Sequence, residues 1–474
     1  MSINHHLVHM HPADIDIHGS SETATLGSEV VIRGSANSTS NTSPSGILRM
    51  PNELLVCIFE HGGRITLQDL GLPFAVLVSH VSRHWRALSH NTPAVWSSIP
   101  VRPAHLDLAS IFLDRSNGYP LSLCLHVEKV WKVQDALALV LSSAQRWLNL
   151  YIRAGTGASV YLVITHLKRI NVPRLEHFEL TVRNAKPGTL GWLPPIFDPS
   201  EDDRRHHPSP KLRSVCLQGI SFRFRSGLLS GLTSLTLAYL PRDMAAPMYS
   251  EFRELLRMSP NLVHLKLADV FPQVAPGVHY SEIEMRCLST LDIVMHQSEE
   301  YVQTFFGIIA APSLRTLKFE SKWSIAWEGF ESAIVSVLAV KFGQLRALHL
   351  TVSDTIHLGE YGVNVAFYDA FPELRQFSLN VLDDQLAQYF LKPWAVAMSG
   401  GEEDDFPEVA YPLVWPKLEL LTVRAPYDEQ EEDEDSIDDT LELIGSLRLS
   451  LGLPFDVFQA CVFADFQMME PLHN

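Results

Sequence analysis

Residues that could do chemistry are few and scattered along this chain. Four histidines near the N-terminus (His5, His6, His9, His11) are of the type that binds metals, but no surrounding pattern fixes their geometry. The turn from Gly155 to Gly157 lacks the third glycine of a dinucleotide-binding loop. The sequence motifs of P-loop NTPases, zinc proteases and serine hydrolases do not occur in the sequence. We therefore predict no catalytic residue, no cofactor and no metal site.

The cysteines give no sign of a disulfide framework or a structural zinc site. They are odd in number, far apart and never in a C-x-x-C pair, and they are Cys57, Cys124, Cys216, Cys287 and Cys461. Such usage is typical of a reducing compartment. No apolar run approaches the length of about 20 residues that a bilayer helix needs, so we expect a soluble protein of the cytoplasm or nucleus that does not enter a membrane.

The net charge of −17 is concentrated in one region. Residues 402 to 439 contain fifteen acidic and two basic residues, and all but one of the acidic residues lie in two blocks, Gly400 to Glu408 and Asp428 to Asp439. The rest of the chain is close to neutral, and no stripe of Lys and Arg is available to neutralise phosphates, which disfavours a nucleic-acid partner. We interpret the blocks as solubilising loops, with electrostatic steering of a basic partner as the alternative.

A short pattern, L-x-x-L-x-L, recurs along most of the chain and is often preceded by proline. Its copies follow one another mostly at about the 20 to 29 residues of leucine-rich repeats, with longer intervals where loops intervene. The first apolar positions are Trp147, Leu175, Leu212, Leu232, Leu262, Leu288, Leu314, Leu345, Leu374 and Leu418.

The elements that this pattern requires are short strands with apolar residues at alternate positions. Between the copies, apolar residues recur at spacings of three and four, as from Phe252 to Leu256, from Val302 to Ile309 and from Phe330 to Lys341, which is typical of amphipathic helices. We predict an α/β fold in which a curved parallel sheet is lined by outer helices, a leucine-rich-repeat solenoid. An ordinary α/β domain with leucine-rich strands is the alternative.

The predicted domain limits follow from composition. Residues 1–46 are predicted to form a disordered tail, 47–100 a helical domain, and 101–450 the solenoid, with loops at 186–210, 399–410 and 427–440. Residues 451–474 would form a C-terminal cap or tail.

Side chains between the last two apolar positions of each copy should lie on the concave face of the sheet. Lys266, Asp292 and Lys318 alternate in charge across successive copies, and His349 follows in the next one. These four residues are the predicted contacts with a target protein. The alternative is that they are merely solvated strand positions.

Residues 50 to 100 differ in kind from the repeats. Met50 to Glu60 has proline in the first turn of a predicted helix and apolar residues on one stripe. Leu77 to Leu88 repeats apolar residues at three and four (Val78, Val81, Trp85, Leu88). A unit of this size cannot bury two apolar stripes by itself, which indicates a partner.

This segment resembles the F-box, a small helical module. Met50-Pro51-Asn52-Glu53-Leu54-Leu55 with Ile58-Phe59 is similar to the opening of its pattern, and Val81-Ser82-Arg83-His84-Trp85 to its close. Met50 stands in place of the usual Leu and Ser82 in place of the usual Cys. The stretch Thr92 to Ile99 is similar to the tail that follows the F-box in many fungal members. Together with the repeats, the chain resembles an F-box protein with leucine-rich repeats.

The resemblance implies a non-catalytic role in a ubiquitin ligase. The F-box would bind the adaptor Skp1, which links to a cullin, and the repeat sheet would hold a target protein. The implied adaptor contacts are Met50, Pro51, Leu54, Leu55, Ile58, Phe59, Val78, Val81 and Trp85. A repeat scaffold without a ligase role, whose F-box-like helices pack internally or bind Skp1 alone, stays open as the alternative.

Overall fold

The computed structural model describes residues 47, 50–65, 73–128, 133–168, 170–183, 211–220, 227–239, 247–275, 278–295, 299–321, 330, 332–352, 366–381, 387–391, 415–426, 437–450 and 457–463. The predicted tail 1–46 and the predicted loops 186–210 and 399–410 lie outside these residues. Residues 52–474 form one compact unit, so the helical segment after Pro51 and the repeats are not separated into two bodies.

A parallel sheet of thirteen strands organises the described residues. Together with a small two-stranded sheet, the strands are β1 (Ser98–Val101), β2 (Leu121–Val127), β3 (Trp147–Ala154), β4 (His177–Val182), β5 (Ser214–Gln218), β6 (Ser234–Ala238), β7 (His264–Ala268), β8 (Ile283–Glu284), β9 (Thr290–Met295), β10 (Ile309–Ala310), β11 (Thr316–Ser321), β12 (Ala347–Val352), β13 (Gln376–Val381), β14 (Leu420–Pro426) and β15 (Val457–Phe463). The large sheet follows chain order, and β8 pairs only with β10. The predicted α/β architecture with a large parallel sheet is confirmed.

The register of the strands explains the repeated leucines. Leu265, Leu291 and Leu317 are directly aligned on β7, β9 and β11, and the second apolar positions of these strands are aligned two residues later. All of these side chains are buried. Because alternate residues of a strand point to opposite faces, the aligned pairs form one apolar layer along the whole sheet.

A tight turn introduces most strands and accounts for the prolines of the pattern. Pro260, Pro312 and Pro416 each occupy the second position of such a turn, and the backbone N–H of the first leucine closes it. In the first example the N–H of Leu262 donates to the carbonyl oxygen of Ser259 at 3.1 Å. Proline has the fixed φ that this position favours, so the sequence signal has a direct backbone cause.

Helices precede the sheet and alternate with many of its strands along the chain. They are α1 (Asn52–Ile65), α2 (Phe74–Val81), α3 (Arg83–His90), α4 (Leu106–Arg115), α5 (Val133–Leu141), α6 (Gly157–Leu167), α7 (Tyr249–Arg257), α8 (Glu299–Ile308), α9 (Ala339–Phe342), α10 (Ala366–Asp369) and α11 (Ile437–Ser450), with a π-helical turn, Ile334–Leu338, before α9. Phe306 of α8 packs on Phe319 of β11, with ring centroids 6.3 Å apart. Aromatic and leucine side chains from the two layers therefore form the core.

Four features of the sheet and its flanking elements differ from the sequence prediction. Strands β1 and β2 precede the first predicted copy, because Leu121, Leu123 and Leu125 alternate as a strand does without the leading half of the repeat pattern. Strand β15 lies inside the predicted C-terminal cap or tail, and α11 begins within the predicted loop 427–440. Ile309, predicted to be helical, starts β10 instead.

The helical stripe from Leu77 to Leu88 is broken into two helices. Ser82 has an extended backbone and its side-chain oxygen accepts a hydrogen bond from the backbone N–H of Trp85 at 3.1 Å. An N-cap of this kind begins a new helix, so α2 ends at Val81 and α3 begins at Arg83, where the spacing suggested one continuous apolar stripe. Beyond α3, the indole N–H of Trp96 donates to the carbonyl oxygen of Ser89 at 2.8 Å, and its ring meets Phe112 of α4.

Candidate interaction surfaces

Four apolar side chains on α1 and α2 are exposed to solvent. Leu54 and Ile58 are 53% and 46% exposed, and Leu77 and Val81 are 47% and 61% exposed. Within each helix the two residues are four apart, which places them on one stripe. Paired exposed leucine and isoleucine side chains on neighbouring helices are typical of a surface that another protein covers. We call these four residues the helical patch.

Close contact between α1 and α2 holds the helical patch together. A Cβ atom added at Gly62 of α1 would clash with Cζ of Phe74 in α2. Only glycine lets the ring approach the helix backbone this closely. At Gly63 an added Cβ would meet the carbonyl oxygen of Val95 at an ordinary 3.6 Å.

The other residues expected to bind the adaptor differ in accessibility. Leu55, Phe59 and Val78 are buried, Trp85 and Met50 are partly exposed, and Pro51 is exposed. The rings of Phe59 and Trp85 pack together with centroids 4.9 Å apart. Phe59 therefore holds α1 against α3 and presents no surface to a partner in this structure. The sequence analysis missed Leu77, whose signal is its position four residues before Val81.

The four predicted target contacts lie in one row across four adjacent strands. Lys266, Asp292, Lys318 and His349 are aligned with one another on β7, β9, β11 and β12. They occupy the sheet face opposite the apolar layer, which we call the open face. Lys266 Nζ lies 3.0 Å from Asp292 Oδ2, so its charge is already balanced. Lys318 is the exposed cation of this row.

The electrostatics of this central row are set by its neighbours. Burial, followed by the charge of Lys318, lowers the pKa of His349 below its ordinary value. Burial raises the pKa of Tyr239, and the carboxylates of Glu320, Asp269 and Asp292 raise it further. The imidazole is therefore neutral at pH 7, and carboxylates outnumber lysines around these central strands.

A group of basic residues occupies the first strands of the open face, where the sequence analysis predicted no site. His126 of β2 is aligned with Arg153 of β3. Arg102 directly follows β1, and Arg183 directly follows β4, where its backbone N–H donates to the carbonyl oxygen of Ala154 at 3.0 Å. We call Arg102, His126, Arg153 and Arg183 the arginine strip. Only the register of strands β1 to β4 reveals it.

Burial is the main cause of the shifted pKa values of His126 in the arginine strip and of the neighbouring Cys124. Burial, followed by the charges of Arg102, Arg153 and Arg183, lowers the pKa of His126 to about 4 against the opposing effect of Glu128. Cys124 Sγ lies 3.3 Å from His126 Nε2, and burial raises the pKa of this thiol to about 11. A protonated, buried thiol is a poor nucleophile.

The described part of the chain has neither a cluster of metal-binding side chains nor a membrane-spanning helix. No group of three or more histidine, cysteine, aspartate or glutamate residues is placed to hold a metal ion there. None of the helices in that part is both long and apolar enough to cross a membrane.

The chain matches no protein-family model, and no curated protein has a similar sequence. The helical patch and the open face are therefore the features that indicate a function.

Proposed function

We propose that this protein is the substrate-recognition subunit of a Skp1–cullin–F-box type ubiquitin ligase, acting in the cytoplasm or nucleus. The helical patch binds Skp1, and the open face of a leucine-rich-repeat solenoid binds the target. The chain itself carries no catalytic group in this proposal, because an associated conjugating enzyme supplies the ubiquitin. The observation that carries the proposal is the helical patch, four exposed apolar residues within a segment that resembles the F-box.

The helical patch has the composition of an interface centre. Full burial of each leucine, isoleucine or valine side chain contributes about 1.5–3 kcal/mol relative to exposure. Four such side chains on two packed helices therefore form a rigid apolar anchor without any large rearrangement of the backbone. A polar rim is available nearby, because Asn52 and Glu53 at the start of α1 are exposed.

The open face supports the second half of the proposal. Its central row places a lysine, an aspartate, a second lysine and a histidine on four aligned strands, on the face opposite the uniform apolar layer. Extended surfaces of mixed polarity on stacked repeats are the usual binding surfaces of solenoid proteins. The target itself is defined only as a protein with groups complementary to this face.

Charge substitutions in the helical patch test the proposal. We expect Ile58→Asp and Val81→Asp each to weaken capture of Skp1 by about tenfold or more, because a carboxylate would have to be buried at the interface. Val340→Asp is the matched control, since Val340 is 84% exposed and lies outside the patch. Thermal unfolding of the three variants should stay close to that of the unmodified protein. Equal capture of Skp1 by all three variants would refute the proposal.

The runner-up function is a repeat scaffold without a ligase role. The observation that favours it is the burial of Leu55, Phe59 and Val78, because part of the F-box-like segment packs inside the protein. Both functions allow Skp1 to bind, but only the ligase subunit joins a cullin through it. Skp1 capture without cullin in a reconstituted mixture would identify the scaffold.

A further inference from the structure

We infer that the arginine strip is a docking site for an acidic segment of the target protein, whose carboxylates pair with Arg102, Arg153 and Arg183. This inference deepens the proposed function and rests on its assignment of the open face to target binding. It differs from the sequence prediction, which placed the target contact on the central row around Lys266 and Lys318.

The backbone places Arg102 and Arg153 level with each other on the open face. Arg102 lies level with His126, since the preceding residues Val101 and Leu125 are paired, and His126 is paired with Arg153. Arg183 lies two residues further along the strand direction, because Arg153 is paired with Thr181. Arg183 is exposed and Arg102 and Arg153 are partly exposed, although the Nε atom of Arg102 is buried.

The length of the arginine strip favours a peptide segment over a single anion. Strands of a sheet lie about 4.8 Å apart, so the four strands from β1 to β4 span about 14 Å. An extended chain covers that length with about four residues, and alternate side chains then face the strip. A single phosphate group is too small to contact arginines that are spread over all four strands. Several carboxylates in a row match the arrangement, and arginine pairs with each of them through two parallel hydrogen bonds.

The sign of the charge changes along the open face. Glu128 and Glu179 lie close to the strip, yet the three arginines outnumber them. Around the central strands, Asp269, Asp292 and Glu320 outnumber Lys266 and Lys318. An acidic segment is therefore attracted to the first strands and repelled from the middle ones, which fixes where it lies.

Peptide binding to the full chain tests the inference. The probe is a short labelled peptide with glutamate at alternate positions and serine between them. Two control peptides are matched to it. The glutamine peptide has glutamine in place of each glutamate, and the phosphoserine peptide has one phosphoserine and no glutamate. We expect only the glutamate peptide to bind strongly, with an affinity that falls as salt rises from about 50 to about 300 mM, because exposed charges are then screened.

Charge reversal locates the binding site. Arg183→Glu and Arg153→Glu should each weaken binding of the glutamate peptide by about tenfold, whereas Arg257→Glu, on the exposed side of α7, should leave it unchanged. Arg183 is exposed, so its variant is expected to fold even if the Arg153 variant does not.

Three outcomes would overturn the inference. They are equal binding of the glutamine peptide, binding of the phosphoserine peptide alone, and unchanged binding by the Arg183 variant. Skp1 capture is measured on the same proteins. Loss of peptide binding with intact Skp1 capture therefore counts against the docking site only, and failed Skp1 capture with intact peptide binding counts against the ligase proposal only.

Discussion

At the scale of single residues, neighbours on α1 have opposite roles. Ile58 is exposed and Phe59 is fully buried against Trp85, although both are apolar and both fit the F-box pattern. The sequence alone could not separate them, because the boundary of an apolar stripe depends on which helices pack on it. The division between exposed surface and internal core therefore runs between adjacent residues.

This division predicts unequal effects of truncating the two side chains. Phe59→Ala should lower the free energy of unfolding by about 3–5 kcal/mol, because it leaves a cavity beside Trp85. Ile58→Ala should change it by less than about 1 kcal/mol, since this side chain is already half in solvent. Urea unfolding of the two variants measures the difference. A loss of stability for Ile58→Ala as large as that for Phe59→Ala would contradict the placement of these side chains.

At the scale of elements, the packing of α1 on α2 determines whether the helical patch exists as one surface. Gly62 allows Phe74 to approach the backbone of α1, and the N-cap at Ser82 separates α3 from α2. The sequence predicted a helix before this glycine pair but not its continuation through Gly62 and Gly63 to Ile65. Glycine is unfavourable in the interior of a helix, and here the packing of Phe74 on α1 outweighs that preference.

The two neighbouring glycines of α1 provide a test of this packing. Gly63→Ala should stabilise the protein by about 0.5–1 kcal/mol, because alanine favours the helix and its Cβ meets only an ordinary contact. Gly62→Ala should instead destabilise it and weaken Skp1 capture, because the Phe74 ring must move. Thermal unfolding and Skp1 capture of both variants measure these effects. Stabilisation of similar size by both substitutions would show that α1 and α2 do not pack in this way.

At the scale of the whole molecule, the periodic part of the sequence was the predictable part. All ten predicted repeat positions lead into strands of one parallel sheet, because a leucine layer and proline turns leave a strong local signal. Strands β1, β2 and β15 lack that signal and join the sheet through pairing with neighbours. The arginine strip depends on those first strands, so no pattern in the sequence could reveal it.

The most direct test of the account is assembly of the unmodified chain with Skp1 and a cullin. The three proteins are co-expressed, and the complex is purified through a tag on this chain and then separated by size. We expect all three proteins to elute together as one species with equal amounts of each. We expect Ile58→Asp to release Skp1 and the cullin together. Elution of the unmodified, folded chain without Skp1 would contradict the account.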